Sequence, residues 1–314
     1  MQKPRILVVG GVNVVQTFEC ESYSEHNGYC VAESFDCCPG GNGTATSVAL
    51  SRLGVDSVIC SVVGDDTYGK DLKEYFEDEG VDARFLLMKK GENTALYNII
   101  ERPAKTDKIF YRGVSSAFPK SIVEESFISY PDGVILNSDV PDHIIDETVL
   151  LSKKNNVPLF VSGLTDQSKY PVSSIGSCEI LIVDYDETLR CTGIRPSDQE
   201  KCMKACISLM KRVKSKYVVI LLEGRGCFLY DGTYYDFIPA YDVSGSANID
   251  VSYAFTTALV SEYLKAEGDI RRASDYATAV TALYITRGGG LRAYPCLEDV
   301  KRFALRNEID LSFE

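Results

Sequence analysis

The chain has 314 residues, 45% of them hydrophobic, and carries a formal net charge of -12 with a pI near 4.8. This length suffices for one large α/β domain with an insertion or for two average domains. The acidic balance argues against nucleic acids and anionic membranes as partners, because phosphate groups attract basic surfaces. We therefore expect a small-molecule partner or another protein.

Other features of the sequence bear on its location. The first residues lead directly into a strand-like run without a signal peptide, and no apolar run reaches the roughly 18 residues of a membrane span. The 11 cysteines are scattered through strand-like and helix-like stretches. Because this odd number suits a reducing compartment better than a disulfide framework, we expect a cytoplasmic protein without membrane contact.

Short apolar runs alternate with helical stretches along most of the chain. The strand-like runs are ILVVGG (6–11), SVICSVVG (57–64), GVILNS (133–138), PLFVSG (158–163), EILIVD (179–184) and YVVILLEG (217–224). The helical stretches between them are GTATSVALSRLG (43–54), GKDLKEYFEDEG (69–80), DETVLLSKKN (146–155) and SDQEKCMKACISLMKRV (197–213). This alternation predicts an α/β fold with a doubly wound, mostly parallel sheet and helices on both faces. Ligands of such sheets bind at the carboxyl ends of the strands.

Two segments break the alternation, residues 14–36 and residues 84–112. They lack helical periodicity and are rich in β-branched and aromatic residues, as in TALYNII and KIFYRGV. We predict that they form a small β-sheet lid of antiparallel strands, inserted in an α/β core of residues 1–13, 37–83 and 113–314. The alternative is that they are two ordinary surface excursions.

Several stretches carry a family resemblance: PGGNGTATSVALSRLG (39–54), VVGDDTYGKDL (62–72), ITRGGG (285–290) and CLEDVKRFAL (296–305). With the two lid segments they resemble, in order and over nearly the whole chain, the ribokinase/PfkB family of sugar and nucleoside kinases. The resemblance implies a ribokinase-like core with a β-sheet lid, often shared between two subunits, so a homodimer through the lid is expected. It also implies ATP- and Mg²⁺-dependent transfer of a phosphoryl group to an alcohol.

Phosphoryl transfer requires alignment of the reactants, cancellation of charge on the moving group, and a base for the attacking hydroxyl. In the family, a Gly-Ala-Gly-Asp turn at the start of a helix supplies amides for the phosphoryl oxygens and a carboxylate that accepts the proton. By resemblance, Gly40 and Gly41 let the backbone approach the substrate closely. Asn42 would offer its amide to substrate hydroxyls.

The chain departs from the family pattern at positions that carry chemistry. The Asn-x-Asp that follows the first strand and binds sugar hydroxyls is Asn13, Val14 and Val15 here, so a substrate carboxylate is missing. The family's Asn-x-x-Glu, near the metal and the phosphates, begins with Asp184 and ends with Glu187. This change keeps oxygen ligands suited to hydrated Mg²⁺ and adds a charge.

The nucleotide region departs as well. The Gly-x-x-Gly expected after the strand is read as Glu223, Gly224, Arg225 and Gly226. Glu223 brings a carboxylate to the place where the phosphates of ATP would run, and Arg225 can offset its charge. The expectation is weaker nucleotide binding.

The stretch DVSGSANIDVSYAF (242–255) allows three alignments with the Gly-Ala-Gly-Asp motif. Without gaps, Gly245, Ser246 and Ala247 form the anion hole and Asn248 replaces the base, although an amide cannot take a proton at neutral pH. With two inserted residues, Asp250 takes the position of the base and catalysis is retained.

In the third alignment, the helix beginning SYAFTTAL (252–259) fixes the register and Tyr253 replaces the acid. A phenol titrates near pH 10 in its unperturbed state, so this alignment leaves no base. Asp250 is the only carboxylate among residues 243–261, and any activity should therefore run through it.

Two hypotheses remain. The first is a kinase for a sugar-like or nucleoside-like alcohol, with Asp250 as base and with Asp184 and Glu187 organising Mg²⁺, mainly through water. The second is a catalytically degenerate family member that acts as a ligand-binding or regulatory protein. The costly departures at the substrate, nucleotide and base positions favour this second reading.

Overall fold

The computed structural model describes residues 3–20, 30–103, 105–164, 172–244, 251–308 and 311. Within these ranges the strands are β1 (Arg5–Val9), β2 (Asn13–Glu19), β3 (Ser34–Gly40), β4 (Asp56–Gly64), β5 (Asp82–Lys89), β6 (Leu96–Arg102), β7 (Lys105–Tyr111), β8 (Gly133–Asn137), β9 (Leu159–Ser162), β10 (Ser177–Val183), β11 (Lys214–Leu221), β12 (Gly226–Tyr230) and β13 (Tyr235–Pro239). The α-helices are α1 (Asn42–Arg52), α2 (Thr67–Asp78), α3 (Lys120–Ser126), α4 (Asp142–Asn155), α5 (Tyr185–Thr192), α6 (Gln199–Arg212), α7 (Ser252–Lys265), α8 (Ile270–Thr286) and α9 (Leu297–Arg306). None of the helices in these ranges is both long and apolar enough to cross a membrane.

The larger sheet has the strand order β13-β12-β11-β10-β9-β8-β1-β4-β5 among the described residues. In this spatial order, the seven strands from β11 to β5 pair in parallel. The strands β12 and β13 extend the sheet by antiparallel pairing. The strand order reverses between β1 and β8, and ligands of such sheets bind in the crevice at this switch point. This architecture confirms the predicted α/β fold.

The continuous apolar runs form buried strands because the sheet has a hydrophobic core on each face. In β1, Ile6 and Val8 enter one core while Leu7 and Val9 enter the other. All four side chains are fully buried. Burial of a side chain of this size stabilises the fold by about 1.5 to 3 kcal/mol, which favours an interior position for β1 in the sheet.

The smaller sheet has the order β3-β2-β6-β7. Its outer pairs are antiparallel, as predicted, but the central pair of β2 and β6 is parallel. The strand β5 lies in the larger sheet, where it pairs with β4 and buries Ala83 and Leu86. Of residues 84–112, only the part from Leu96 onward therefore supplies strands to the smaller sheet.

Asp66 ties the smaller sheet to the core. Its carboxylate caps α2 by accepting from the Gly69 N–H at 2.9 Å. It also accepts from the backbone N–H and the hydroxyl of Thr94, at 2.8 Å and 2.6 Å. Burial opposes ionisation of Asp66, but the hydrogen bonds from Thr94 and Gly69 outweigh it and lower its pKa. The start of α2 is thus joined to the segment that leads into β6.

Candidate active site

The crevice at the switch point of the larger sheet, called the cleft, lies where β1, β8 and β9 end and α1 begins. Asp139, just after β8, accepts hydrogen bonds from the N–H of Gly11 at 2.9 Å and from the N–H of Asn42 at 3.2 Å. Its carboxylate therefore lies at the N-terminus of α1, where the helix dipole favours an anion. Burial raises the pKa of Asp139, and these backbone hydrogen bonds act in the opposite direction.

Two asparagine side chains in this cleft have buried polar atoms without a hydrogen-bond partner among the described residues. These atoms are Oδ1 of Asn13, at the start of β2, and Nδ2 of Asn42. An unsatisfied buried group costs about 1 to 3 kcal/mol, so both atoms are expected to bind a ligand or water. A hydroxyl group can donate to one and accept from the other.

The predicted glycines bring the start of α1 against the end of β1. Gly41 has a φ of +94°, and a Cβ there would lie 2.4 Å from the carbonyl oxygen of Gly11. A Cβ on Gly40 would lie 2.8 Å from Oδ1 of Asn13. Side chains at these positions would displace Asn13 or the backbone around it.

The first turn of α7 reaches the same cleft. Gly163, after β9, has a φ of +66°, and a Cβ there would lie 3.4 Å from Oη of Tyr253 and 3.1 Å from Nδ2 of Asn42. The structure thus brings Tyr253, Asn42 and Gly163 together. The candidate residues Gly245, Ser246, Ala247, Asn248 and Asp250 lie outside the described residues.

A cavity of about 470 Å³ lies beside the cleft, within the size range of small-molecule sites. It is bounded by the first turn of α5, the turn between β11 and β12, the start of α7, and α8. Its lining residues are Asp184, Tyr185, Asp186, Leu221, Leu222, Glu223, Gly224, Gly226, Ala240, Tyr241, Val251, Ser252, Phe255, Thr278, Thr281, Ala282 and Ile285. The lining combines apolar walls with a few acidic groups.

The cavity and the cleft meet at the start of α7. Val251, Ser252 and Phe255 line the cavity, whereas the hydroxyl of Tyr253 lies on the side of Gly163. No side chain of the described residues caps this helix. The first turn of a helix presents N–H groups without intrahelical partners and carries a partial positive charge, so an anion is favoured at this boundary.

Asp184 and Glu187 form a capping box at the start of α5. Asp184 accepts from the N–H of Glu187 at 2.6 Å, and Glu187 accepts from the N–H of Asp184 at 2.9 Å. Burial, with the charge of Asp184, raises the pKa of Glu187 to about 8. Glu187 is buried and does not line the cavity, whereas Asp184 and Asp186 do.

The described acidic residues do not converge on a directly ligated metal. No group of three His, Cys, Asp or Glu side chains among them is suitably placed to hold an ion. Mg²⁺ commonly keeps several waters and binds through one or two carboxylates and substrate phosphates. Asp184 and Asp186 fit a hydrated Mg²⁺ of this kind.

Arg225 points away from the cavity. Its guanidinium donates to the carbonyl of Ser197 at 2.8 Å and to that of Pro196 at 3.0 Å, in the loop before α6. Arg225 is therefore not among the residues that line the cavity, although its positive charge is not neutralised by these carbonyls.

Sequence reasoning missed two acidic residues of this site, Asp139 and Asp186. Asp139 follows the apolar run that forms β8, and an acid just after a parallel strand is a usable signal. Asp186 lies between the two residues that were singled out in the same turn of helix.

Comparison with known proteins places this geometry in a family. A model described as pfkB family carbohydrate kinase matches residues 3–295. The ribokinase of Haemophilus influenzae is 22% identical over 303 residues, which cover 95% of this chain and 97% of that protein. An ATP-dependent ribose-1-phosphate kinase of Halopiger xanaduensis is 25% identical over 304 residues, with coverage of 95% and 97%.

A solved structure shows the same fold. The ribokinase of Arabidopsis thaliana, complexed with ribose and ATP, superposes with a TM-score of 0.88 at 20% identity, and the match covers 100% of both chains.

Proposed function

The chain belongs to the pfkB family of carbohydrate kinases, and we propose that it is an ATP-dependent phosphotransferase acting on an alcohol group of a small sugar-like or nucleoside-like substrate. The observation that carries the proposal is the first turn of α7, which borders the cleft through Tyr253 and the cavity through Ser252. A phosphoryl group moving from the cavity to the cleft would pass the positive end of this helix.

The cleft is the proposed site of the acceptor alcohol. The unsatisfied Oδ1 of Asn13 and Nδ2 of Asn42 suit the hydroxyls of a polyol, and Asp139 adds a carboxylate beside them. Relatives named ribokinase and ribose-1-phosphate kinase support a sugar-like acceptor. Val15 makes this part of the cleft less polar than in the usual family pattern.

The cavity is the proposed site of ATP. Its volume and its apolar walls, which include Leu222 and Ile285, suit a nucleotide base. Mg²⁺ would neutralise charge on the phosphates. Asp184 and Asp186 would hold its waters, and Glu187 keeps Asp184 oriented through the capping box.

The proton acceptor is proposed to be Asp250, and the anion hole to be Gly245, Ser246 and Ala247. The support comes from the sequence, because no other carboxylate occurs among residues 243–261. A carboxylate within hydrogen-bond reach of the acceptor hydroxyl would take its proton as the phosphoryl group is transferred.

The proposal is tested by measuring ADP release from Mg-ATP with a panel of pentoses, hexoses, their phosphates and nucleosides. We expect turnover with one of these classes, and a loss of about 100- to 10000-fold in Asp250→Asn. Asp242→Asn is the matched control, since it removes a carboxylate from the same stretch and should leave turnover unchanged. Full turnover in Asp250→Asn would remove Asp250 from the mechanism.

A second candidate is a catalytically degenerate family member that binds a ligand or regulates a partner. The observation favouring it is the position of Tyr253 in the first turn of α7, which corresponds to the alignment that leaves no base. For this function we expect that a ligand raises the unfolding temperature while no ADP is released. A ligand at a hundredfold excess over its dissociation constant adds about 2.7 kcal/mol of stability.

A homodimer through the smaller sheet is also proposed. Its support is a partly exposed face with apolar side chains on all four strands. By the register of the strands, Phe35, Phe18 and Ile100 lie in one row that ends at Asp107, and Ile109 and Tyr111 share this face on β7. Phe35 and Ile109 are 56% and 55% exposed. Apolar patches of this kind commonly mark an interface.

A further inference from the structure

The cavity proposed for ATP is lined by acidic groups and, among the described residues, by no lysine, arginine or histidine. Its charged side chains are Asp184, Asp186 and Glu223. A triphosphate is strongly anionic, so each carboxylate repels it. Glu223 and Asp186 are exposed, so solvent and salt screen part of this repulsion, and it is strongest at low ionic strength.

Glu223 differs from the two aspartates because its backbone is strained. It has a φ of +32°, in the left-handed region that favours glycine. The turn is closed by a hydrogen bond of 2.9 Å from the N–H of Arg225 to the carbonyl of Leu222, which holds Glu223 at a defined point of the wall. Strain of this kind at a ligand cavity points to a role in binding.

Among the described residues, no cation pairs directly with Glu223. Its carboxylate makes no hydrogen bond or ion pair with them, whereas Asp184 accepts from the N–H of Glu187. The nearest arginine along the chain, Arg225, is bound to the carbonyls of Ser197 and Pro196. Arg225 keeps its positive charge in these contacts with neutral carbonyls, but it forms no ion pair with Glu223.

We propose that Glu223 determines the form of nucleotide that the cavity accepts, by rejecting the metal-free triphosphate and admitting the triphosphate bound to a divalent cation. The inference rests on the proposed function, because it assumes that the cavity takes ATP. The metal-free triphosphate carries more negative charge than its magnesium complex, so one fixed carboxylate penalises it more. Adenosine has no phosphate and is not penalised at all.

The test is a set of direct binding measurements by calorimetry on the whole chain. ATP and adenosine are titrated in the presence of Mg²⁺ and in the presence of EDTA, into the native protein and into Glu223→Gln. We expect EDTA to weaken ATP binding to the native protein by well over tenfold. In Glu223→Gln, we expect metal-free ATP to bind roughly tenfold more tightly than in the native protein, a change of about 1.4 kcal/mol. The affinities for adenosine should be the same in both proteins.

Two further variants make the result specific. Glu267→Gln removes a glutamate that is exposed and also has a positive φ, of +51°, but lies between α7 and α8 outside the cavity lining, so it should behave as the native protein. Glu223→Gly removes the carboxylate and the backbone strain together, and it should also gain affinity for metal-free ATP. A gain of affinity for metal-free ATP in both Glu223 variants, without such a gain in Glu267→Gln, supports the inference.

The opposing outcomes are separable. Equal sensitivity to EDTA in the native protein and in both Glu223 variants would overturn the role of Glu223 while leaving ATP binding in the cavity intact. Failure of both ATP and adenosine to bind under any condition would overturn the proposed function, and this inference with it.

Discussion

The carboxylate of Asp139 accepts a hydrogen bond of 3.2 Å from the backbone N–H of Asn42, so an acid at the end of β8 occupies the N-terminus of α1. The same carboxylate accepts from Gly11, at the end of β1. One side chain thus joins the two strands at the switch point to the first helix. It also fixes the backbone from which the side chain of Asn42 reaches the cleft.

We expect Asp139→Asn to weaken acceptor binding and to lower the free energy of unfolding by about 1.5 to 3 kcal/mol, because one charge-assisted hydrogen bond is lost. Urea denaturation measures the stability, and the KM for the acceptor measures the binding. Asp142→Asn removes an exposed acid three residues further on and serves as the control. An unchanged KM in Asp139→Asn would limit Asp139 to a structural role.

Asp66, which lies at the base of the smaller sheet, should make the free energy of unfolding depend on pH. Its two carboxylate oxygens accept from Gly69 and Thr94, and an asparagine can replace only one of these oxygens. At neutral pH we expect Asp66→Asn to lower the free energy of unfolding by about 1 to 3 kcal/mol. Asp65→Asn should cost less, because the Asp65 carboxylate accepts a single exposed hydrogen bond from the Gly91 N–H and the amide oxygen of asparagine can still accept it.

The sign of the pH effect follows from the lowered pKa of Asp66. A carboxyl group with a lower pKa in the folded state contributes its stability above the unfolded pKa, near 3.9, and loses it as the pH falls through the folded value. The difference between the native protein and Asp66→Asn should therefore shrink below about pH 4. A difference that stays constant down to pH 2 would show that the charge of Asp66 is unimportant.

The sequence predicts six parallel strands of the larger sheet well, because each of them contains a continuous apolar run; these are β1, β4, β8, β9, β10 and β11. Such runs form buried parallel strands wherever two cores cover the sheet, as for β1 and β8. The prediction from sequence fails at β5, because its half-buried pattern resembles that of a lid strand. Pairing with β4 decides that this strand belongs to the larger sheet.

The candidate site is less predictable because its side chains come from different strand ends. Asn13 and Asp184 could be recognised from motifs, but Asp139 falls outside those motifs. The contacts of Arg225 could not be predicted either, because its guanidinium donates to loop carbonyls more than twenty residues away. Which of these side chains meet in the site depends on the order of the strands in the sheet and not on the local sequence pattern.

Gly163 should be sensitive both to backbone strain and to crowding. An alanine there would be held at a φ of +66° with its Cβ 3.1 Å from Nδ2 of Asn42 and 3.4 Å from Oη of Tyr253. Gly176 has a φ of +69° and nothing within 4 Å of the same position, so Gly176→Ala measures the backbone term alone.

We expect both alanine variants to lose about 1 to 3 kcal/mol of stability from strain, with Gly163→Ala losing more. The excess should decrease slightly when Tyr253→Phe is added, because the hydroxyl is one of the two side-chain atoms nearest to the added Cβ. Urea denaturation of the two alanine variants, of Tyr253→Phe and of its double variant with Gly163→Ala measures this coupling. Equal losses for the two glycine positions would mean that Asn42 and Tyr253 move aside without cost.

The proposed dimer makes a prediction about the face of the smaller sheet that carries Phe18, Phe35 and Ile109. On β7, Ile109 and Tyr111 share the face of the row that contains Phe18 and Phe35, whose rings lie 5.0 Å apart. A glutamate at position 109 would bury a charge in any interface formed there. Since an unpaired buried charge is costly, we expect Ile109→Glu to convert the dimer to a monomer.

Sedimentation velocity of the native protein and of this variant tests the expectation. The control is Ile128→Glu, because Ile128 is 67% exposed between α3 and β8 and lies outside the smaller sheet. That variant should remain a dimer, since the added charge stays in water. A native protein that sediments as a monomer, or a dimer that survives Ile109→Glu, would exclude this face as the subunit interface.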